Sequence, residues 1–209
     1  GERRAGVDSI DMRRLTAALG LFFLVASTSS AYRLVYKEQI YDLNHEQLYM
    51  YPEDYAANIF WLEQALEAPF ANPLYALAVI GNPREYEYYQ DLFRMHLNLH
   101  LVNQYLGWAS DYMKFEAYFY NYPWREENLD SLVRAENLME MALYYWDEAV
   151  GWSDEASRFP WLSLEEIQYW EDQNFRIQSG ELDYEAIIGR HLERLAEVRQ
   201  AFEAMGGPY

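Results

Sequence analysis

The chain has 209 residues and carries 34 acidic against 16 basic side chains, a formal net charge of −18. A body so charged repels phosphate backbones and anionic lipid headgroups, so no nucleic-acid partner is expected. The complete lack of cysteine excludes disulfides, thiol chemistry and a lipobox, while 51% apolar residues are enough to fill a sizeable core.

The first 31 residues read as separate from the folded body. Met12 is followed by Arg13 and Arg14, an apolar run over residues 15–26, and a small polar stretch ending in Ser29, Ser30 and Ala31. This order predicts a secretory signal peptide cleaved near Ala31, with residues 1–11 upstream of it. The run is about 12 residues, short of the roughly 20 that a spanning helix needs. The expectation is an exported, periplasmic protein with no membrane contact beyond its signal, and residues 32–209 as a single all-helical domain of net charge near −19.

Further elements follow in order. A first helix is predicted over about residues 35–48. Pro52 stands at the next start, and Ile59, Leu62, Ala65 and Leu66 give that helix an apolar side ending before Pro69. The connector at 68–73 holds Pro69 and Pro73 and cannot be helical, because proline lacks a donor and pushes its predecessor toward extended geometry. A short helix over 74–80, closed by Gly81, is predicted next. Asn82, Pro83 and Glu85 then combine an N-cap, a first-turn proline and an acid at the third position. From 84 to 120 apolar residues recur at three-four spacing on more than one side, which predicts a helix about 55 Å long, with Gly107 a place for a kink or stop. The link around Pro123 is short enough to turn the following helix back antiparallel.

That following helix, 126–159, has two apolar seams. One alternates small and large through Ala135, Leu138, Ala142, Tyr145, Ala149, Trp152 and Ala156; the other runs through Leu132, Met139, Leu143, Trp146 and Val150. One neighbour cannot cover both, so the helix is expected to be sandwiched. Beyond Pro160, Ser163 and Glu166 suggest a capping box with a staple from Leu162 to Ile167. A glycine stop at Gly180 ends that helix, and Asp183 opens the last one, with its seam at Ile188, Leu192, Leu195, Val198, Phe202 and Met205 before Gly206, Gly207 and Pro208 end it. No strand-like alternation appears. The fold class is all-α: an antiparallel helical bundle or a short tetratricopeptide-like array of long helices.

Few residues suggest chemistry. His96 and His100 are four apart, a spacing at which two imidazoles can share a metal, but no third ligand stands at a diagnostic spacing and no metal site is assigned. Glu165, Glu166, Glu171 and Asp172 could pair for acid-base work, yet on an amphipathic helix they read as a solvated face. There is no nucleophile motif or phosphate loop. The expectation is no enzyme, no catalytic residue and no cofactor. Twenty tyrosines and seven tryptophans are the anomaly. Surplus rings at an outer face suit protein-protein contact, and Phe70, Tyr118, Tyr120, Tyr122 and Trp124 are the protein-binding candidates.

The strings Tyr32-Arg33-Leu34-Val35-Tyr36-Lys37-Glu38-Gln39, Pro69-Phe70-Ala71-Asn72-Pro73-Leu74-Tyr75, Phe119-Tyr120-Asn121-Tyr122-Pro123-Trp124 and Ile167-Gln168-Tyr169-Trp170-Glu171-Asp172 resemble a family of exported spirochaete proteins. That family is similar to proteins of the periplasmic flagellar motor collar, some of which contain tetratricopeptide repeats. The resemblance implies a structural subunit whose partners are other envelope or flagellar motor proteins, compatible with an oligomer, and it carries no catalytic residues. The reading is a periplasmic helical scaffold or adaptor. The alternative is a cell-wall glycan (peptidoglycan) binding protein or hydrolase using surface carboxylates.

Overall fold

Local start signals decide where three of the helices begin. Asp54 accepts the Ala57 amide, Asn82 those of Arg84 and Glu85, and Asp183 that of Ala186, each replacing a partner the first helical turn lacks. The computed structural model describes residues 34–114 and 124–205. By its contacts the chain divides into two units, Gly1–Leu34 and Val35–Tyr209, and every element below lies in the second. The predicted signal segment falls outside the described residues.

The elements are α1 (Lys37–Met50), α2 (Tyr55–Glu67), a 3-10 turn (Pro73–Tyr75), α3 (Pro83–Ser110), α4 (Arg125–Ala156), a second 3-10 turn (Glu165–Ile167), α5 (Gln168–Gln178) and α6 (Tyr184–Glu203). The fold is all-α, with no strand among the described residues. No described helix is long and apolar enough to cross a membrane.

Helices α3 and α4 are the central antiparallel pair, about 42 and 48 Å long at 1.5 Å per residue. The two seams of α4 meet different neighbours, as their chemistry requires. Tyr145 of the first stacks on Tyr105 of α3 with ring centroids 5.5 Å apart, and Trp146 of the second meets Tyr184 at the start of α6, also at 5.5 Å. Ala135, Ala142 and Ala149 are fully buried, so the backbones come close while the large residues fill the gaps. The α1–α2 hairpin covers another side of α3, and α5 packs on both α3 and α4. Ser153 of α4 donates to Asn174 of α5 at 2.5 Å.

The structure corrects three expectations, the first two because a side chain outside the predicted element takes the backbone group that the local pattern assigned to it. The predicted helix over 74–80 is only the 3-10 turn Pro73–Tyr75 followed by bends. The Leu77 amide donates to the Tyr89 hydroxyl at 3.2 Å and the Val79 amide to Glu166 Oε2 at 3.2 Å, so neither closes a helical turn. The capping box at Ser163 and Glu166 does not form. Ser163 Oγ donates to Glu171 Oε2 at 2.9 Å and the Leu164 amide to Glu171 Oε1 at 2.7 Å, while Glu166 reaches Val79. Helix α3 ends at Ser110, and the chain reaches Lys114 in the left-handed region at φ 56°.

Gly107 does not stop α3, which runs on to Ser110. A Cβ there would lie 2.6 Å from Cε1 of Tyr55, so glycine lets the first turn of α2 approach. Gly180, at φ 75°, does end its helix as expected: the Leu182 amide returns to the Arg176 carbonyl at 2.9 Å.

Candidate functional site

Three helices bring polar side chains together inside the core. Tyr41 of α1 donates its hydroxyl toward Nε2 of His96 at 2.9 Å, and His100, one turn along α3, places its own Nε2 3.0 Å from the same atom. Opposite, His96 Nδ1 donates to Gln173 Oε1 of α5 at 2.6 Å. Trp170 stacks on the His96 ring at 4.9 Å and on Phe93 at 4.9 Å. Burial keeps both imidazoles neutral. It holds His96 well below the usual histidine range, helped by the neighbouring His100, and pushes His100 down to about 4, with His45 adding to the effect. Burial also pushes the Tyr41 phenol up to about 12. Among the described residues, no set of three or more histidine, cysteine or carboxylate side chains is arranged to hold a metal ion.

A second buried group pins the start of α1 to the proline connector. Lys37 Nζ donates to the Ala65 and Leu66 carbonyls at 2.6 and 2.5 Å, capping the C-terminal end of α2. Burial, with Arg94 nearby, pushes this amine down to about 8. Glu38 accepts the Ala71 amide at 2.8 Å and the Tyr89 hydroxyl at 3.2 Å. Phe70, a protein-binding candidate from sequence, lies half-buried here with Lys37 and Arg94 over its ring at 5.1 and 4.9 Å. Its faces meet the protein's own cations. The sequence shows no signal for Lys37 and Glu38 as buried, because adjacent charges at a helix start ordinarily face water.

The acids of the hydrolase alternative have structural partners. Glu171 anchors Ser163 and Leu164, Glu166 holds the Val79 amide, and Glu165 and Asp172 are exposed. Glu63 accepts hydroxyls from Tyr105 at 3.1 Å and Tyr145 at 2.8 Å, which joins α2 to α3 and α4.

The surface is more distinctive. Of the ring candidates, Trp124 is more than half exposed at the start of α4. Tyr118, Tyr120 and Tyr122 lie outside the described residues. The connectors at the opposite end of the α3–α4 pair carry large apolar side chains turned to water: Leu74 is 88% exposed, Tyr75 and Val79 74%, and Trp161 94%. Beside them a groove of about 550 Å³ is lined by Asn82, Pro83, Arg84, Phe159, Pro160, Trp161 and Leu162. The Val79–Glu166 bond ties one connector to the other. Sequence reasoning missed these four residues because loop positions have no periodicity; their only signal is the flanking Pro73 and Pro160.

No curated protein and no solved structure matches the chain. A family model does match residues 84–205, which carry His96, His100, Trp161 and Gln173 but not Tyr41 or Leu74. With more than half of its length covered, the chain belongs to the family described as a domain of unknown function, DUF8513.

Proposed function

We propose that the protein is a non-enzymatic helical scaffold or adaptor of a cell-envelope assembly, docking another protein on the apolar end formed by residues 73–84 and 159–162. The observation that carries this reading is the exposure of Trp161 on the groove at that end, with Leu74, Tyr75 and Val79 exposed on the connector that the Val79–Glu166 bond ties to the second one. Water-facing rings and branched side chains at this density are unfavourable in isolation and become favourable when a partner covers them. Tryptophan and tyrosine are also the residues that dominate interface energetics. Three inner polar side chains are taken up inside: His96 and Glu38, both buried, and the half-buried Glu63 bond to the protein's own groups. A net charge of −18 favours a partner whose apolar anchors are flanked by lysine or arginine, and it makes association faster at low salt. The flagellar motor collar suggested by resemblance is one assembly of this kind.

Substituting Leu74→Ser together with Trp161→Ser tests the reading. Both side chains are exposed, so stability should change by no more than about 0.5 kcal/mol. Proteins that co-purify with the wild type from envelope extracts should be lost. Unchanged co-purification would contradict the docking end, and retention on purified peptidoglycan by wild type but not by the variant would favour the glycan-binding alternative.

A further inference from the structure

His96 Nε2 is approached by two polar atoms, the Tyr41 hydroxyl at 2.9 Å and His100 Nε2 at 3.0 Å. On the other edge of the ring, Nδ1 faces Gln173 Oε1 at 2.6 Å. An amide oxygen only accepts, so the ring proton sits on Nδ1 and Nε2 keeps one bare, in-plane lone pair. While the Tyr41 hydroxyl, itself hydrogen-bonded to Trp170, donates to His96, two neighbours compete for that lone pair. If His100 presents an N–H, one lone pair serves two donors; if it presents its own lone pair, two lone pairs confront each other at 3.0 Å.

A cation resolves that conflict, because each of the three atoms carries a lone pair that an ion can accept. The two separations, 2.9 and 3.0 Å, suit a tetragonal ion, since ligand atoms about 2.1 Å from it and about 90° apart lie roughly 3 Å from one another, whereas a tetrahedral shell would set them roughly 3.4 Å apart. The remaining geometry agrees. His96 and His100 are one turn apart on a single helix, and the Nδ1–H of His96 is held by a buried amide, the partner that fixes a ligating imidazole in its tautomer. Two imidazoles alone make an incomplete set. The third donor is a phenol oxygen on another helix, which no spacing along the sequence could reveal. His45 lies one turn further along α1, exposed, with its ring 6.0 Å from that of Tyr41.

We propose that Tyr41 Oη, His96 Nε2 and His100 Nε2 form a binding site for one divalent transition-metal ion that takes tetragonal ligands, copper(II) ahead of zinc, with Gln173 as a positioning residue and solvent or His45 completing the shell. The ion would clasp α1 onto α3, and through Gln173 onto α5, a structural role independent of the docking end.

The test uses the full chain, prepared without a histidine tag and stripped by a chelator, titrated with zinc chloride and with copper(II) chloride in separate arms. One ion per chain should bind, raising Tm in proportion to the logarithm of free metal. His100→Gln should abolish this binding and Gln173→Leu should weaken it roughly 10–100-fold, while His191→Gln on α6 should bind as wild type does. Failure of the wild type to bind either metal at one per chain would overturn the proposal, as would a folded His96→Gln, His100→Gln double variant that still binds. Should the variants not fold, the wild type's copper(II) resonance decides: coupling to two imidazole nitrogens supports the site, and an oxygen-only signature contradicts it.

Discussion

Asp91 shows how burial of one side chain sets a pH dependence. It is 7% exposed on α3, with Oδ1 3.3 Å from Arg94 Nη1. Burial is the largest influence on it, and its carboxyl is pushed up from 3.8 to about 6 despite the guanidinium. A carboxyl with a raised folded pKa binds its proton more tightly in the folded state. Its stabilising contribution is therefore complete below the unfolded value and is lost as pH rises through about 6. Asp91→Asn does not titrate, so relative to wild type the variant should gain on the order of 1–2 kcal/mol between about pH 4 and about pH 7. Urea denaturation across that range measures it, and the difference cancels the opposite contribution of the buried histidines. A difference that stays constant with pH would show that Asp91 is not desolvated as described.

At the scale of elements, the two internal glycines of α3 and α4 make a matched pair. Gly107→Ala would drive a Cβ to 2.6 Å from the rigid Tyr55 ring, whereas Gly151→Ala meets nothing within 4 Å. The first should destabilise by roughly 1–3 kcal/mol, by forcing α2 from α3. The second should stabilise by about 0.5–1 kcal/mol, through the backbone entropy glycine otherwise loses in a helix. Thermal melts of the two variants should move in opposite directions.

Elements whose limits are local were legible in the sequence. Asn82, Pro83 and Glu85 cap α3 through bonds within four residues, Gly180 stops α5, Asp183 starts α6, and the alanine seam of α4 announced its close neighbour. Elements decided at a distance were not. Tyr89 takes the Leu77 amide from 12 positions away and Glu166 the Val79 amide from 87, so no window around residues 74–80 contains the information. The buried cluster divides the same way. The His96–His100 spacing could be read along one helix, but Tyr41 and Gln173 reach it from 55 and 77 positions away. Asn44, fully buried with neither amide atom partnered, also gave no advance sign.

The described residues beyond Leu34 form a helical bundle in which His96, Glu38 and Glu63 bond inward, and Leu74, Tyr75, Val79 and Trp161, on two connectors, are among the most exposed large apolar side chains. Trp161 and Phe175 separate that account from general stickiness. Both are large exposed rings, 94% and 62% open, but Trp161 lines the groove between connectors and Phe175 stands on the face of α5. If partners dock at the end of the bundle, a photo-crosslinking phenylalanine analogue placed at 161 should yield a discrete covalent adduct in cells, and the same analogue at 175 should yield none. Equal adducts from both positions, or adducts from 175 alone, would contradict docking at this end.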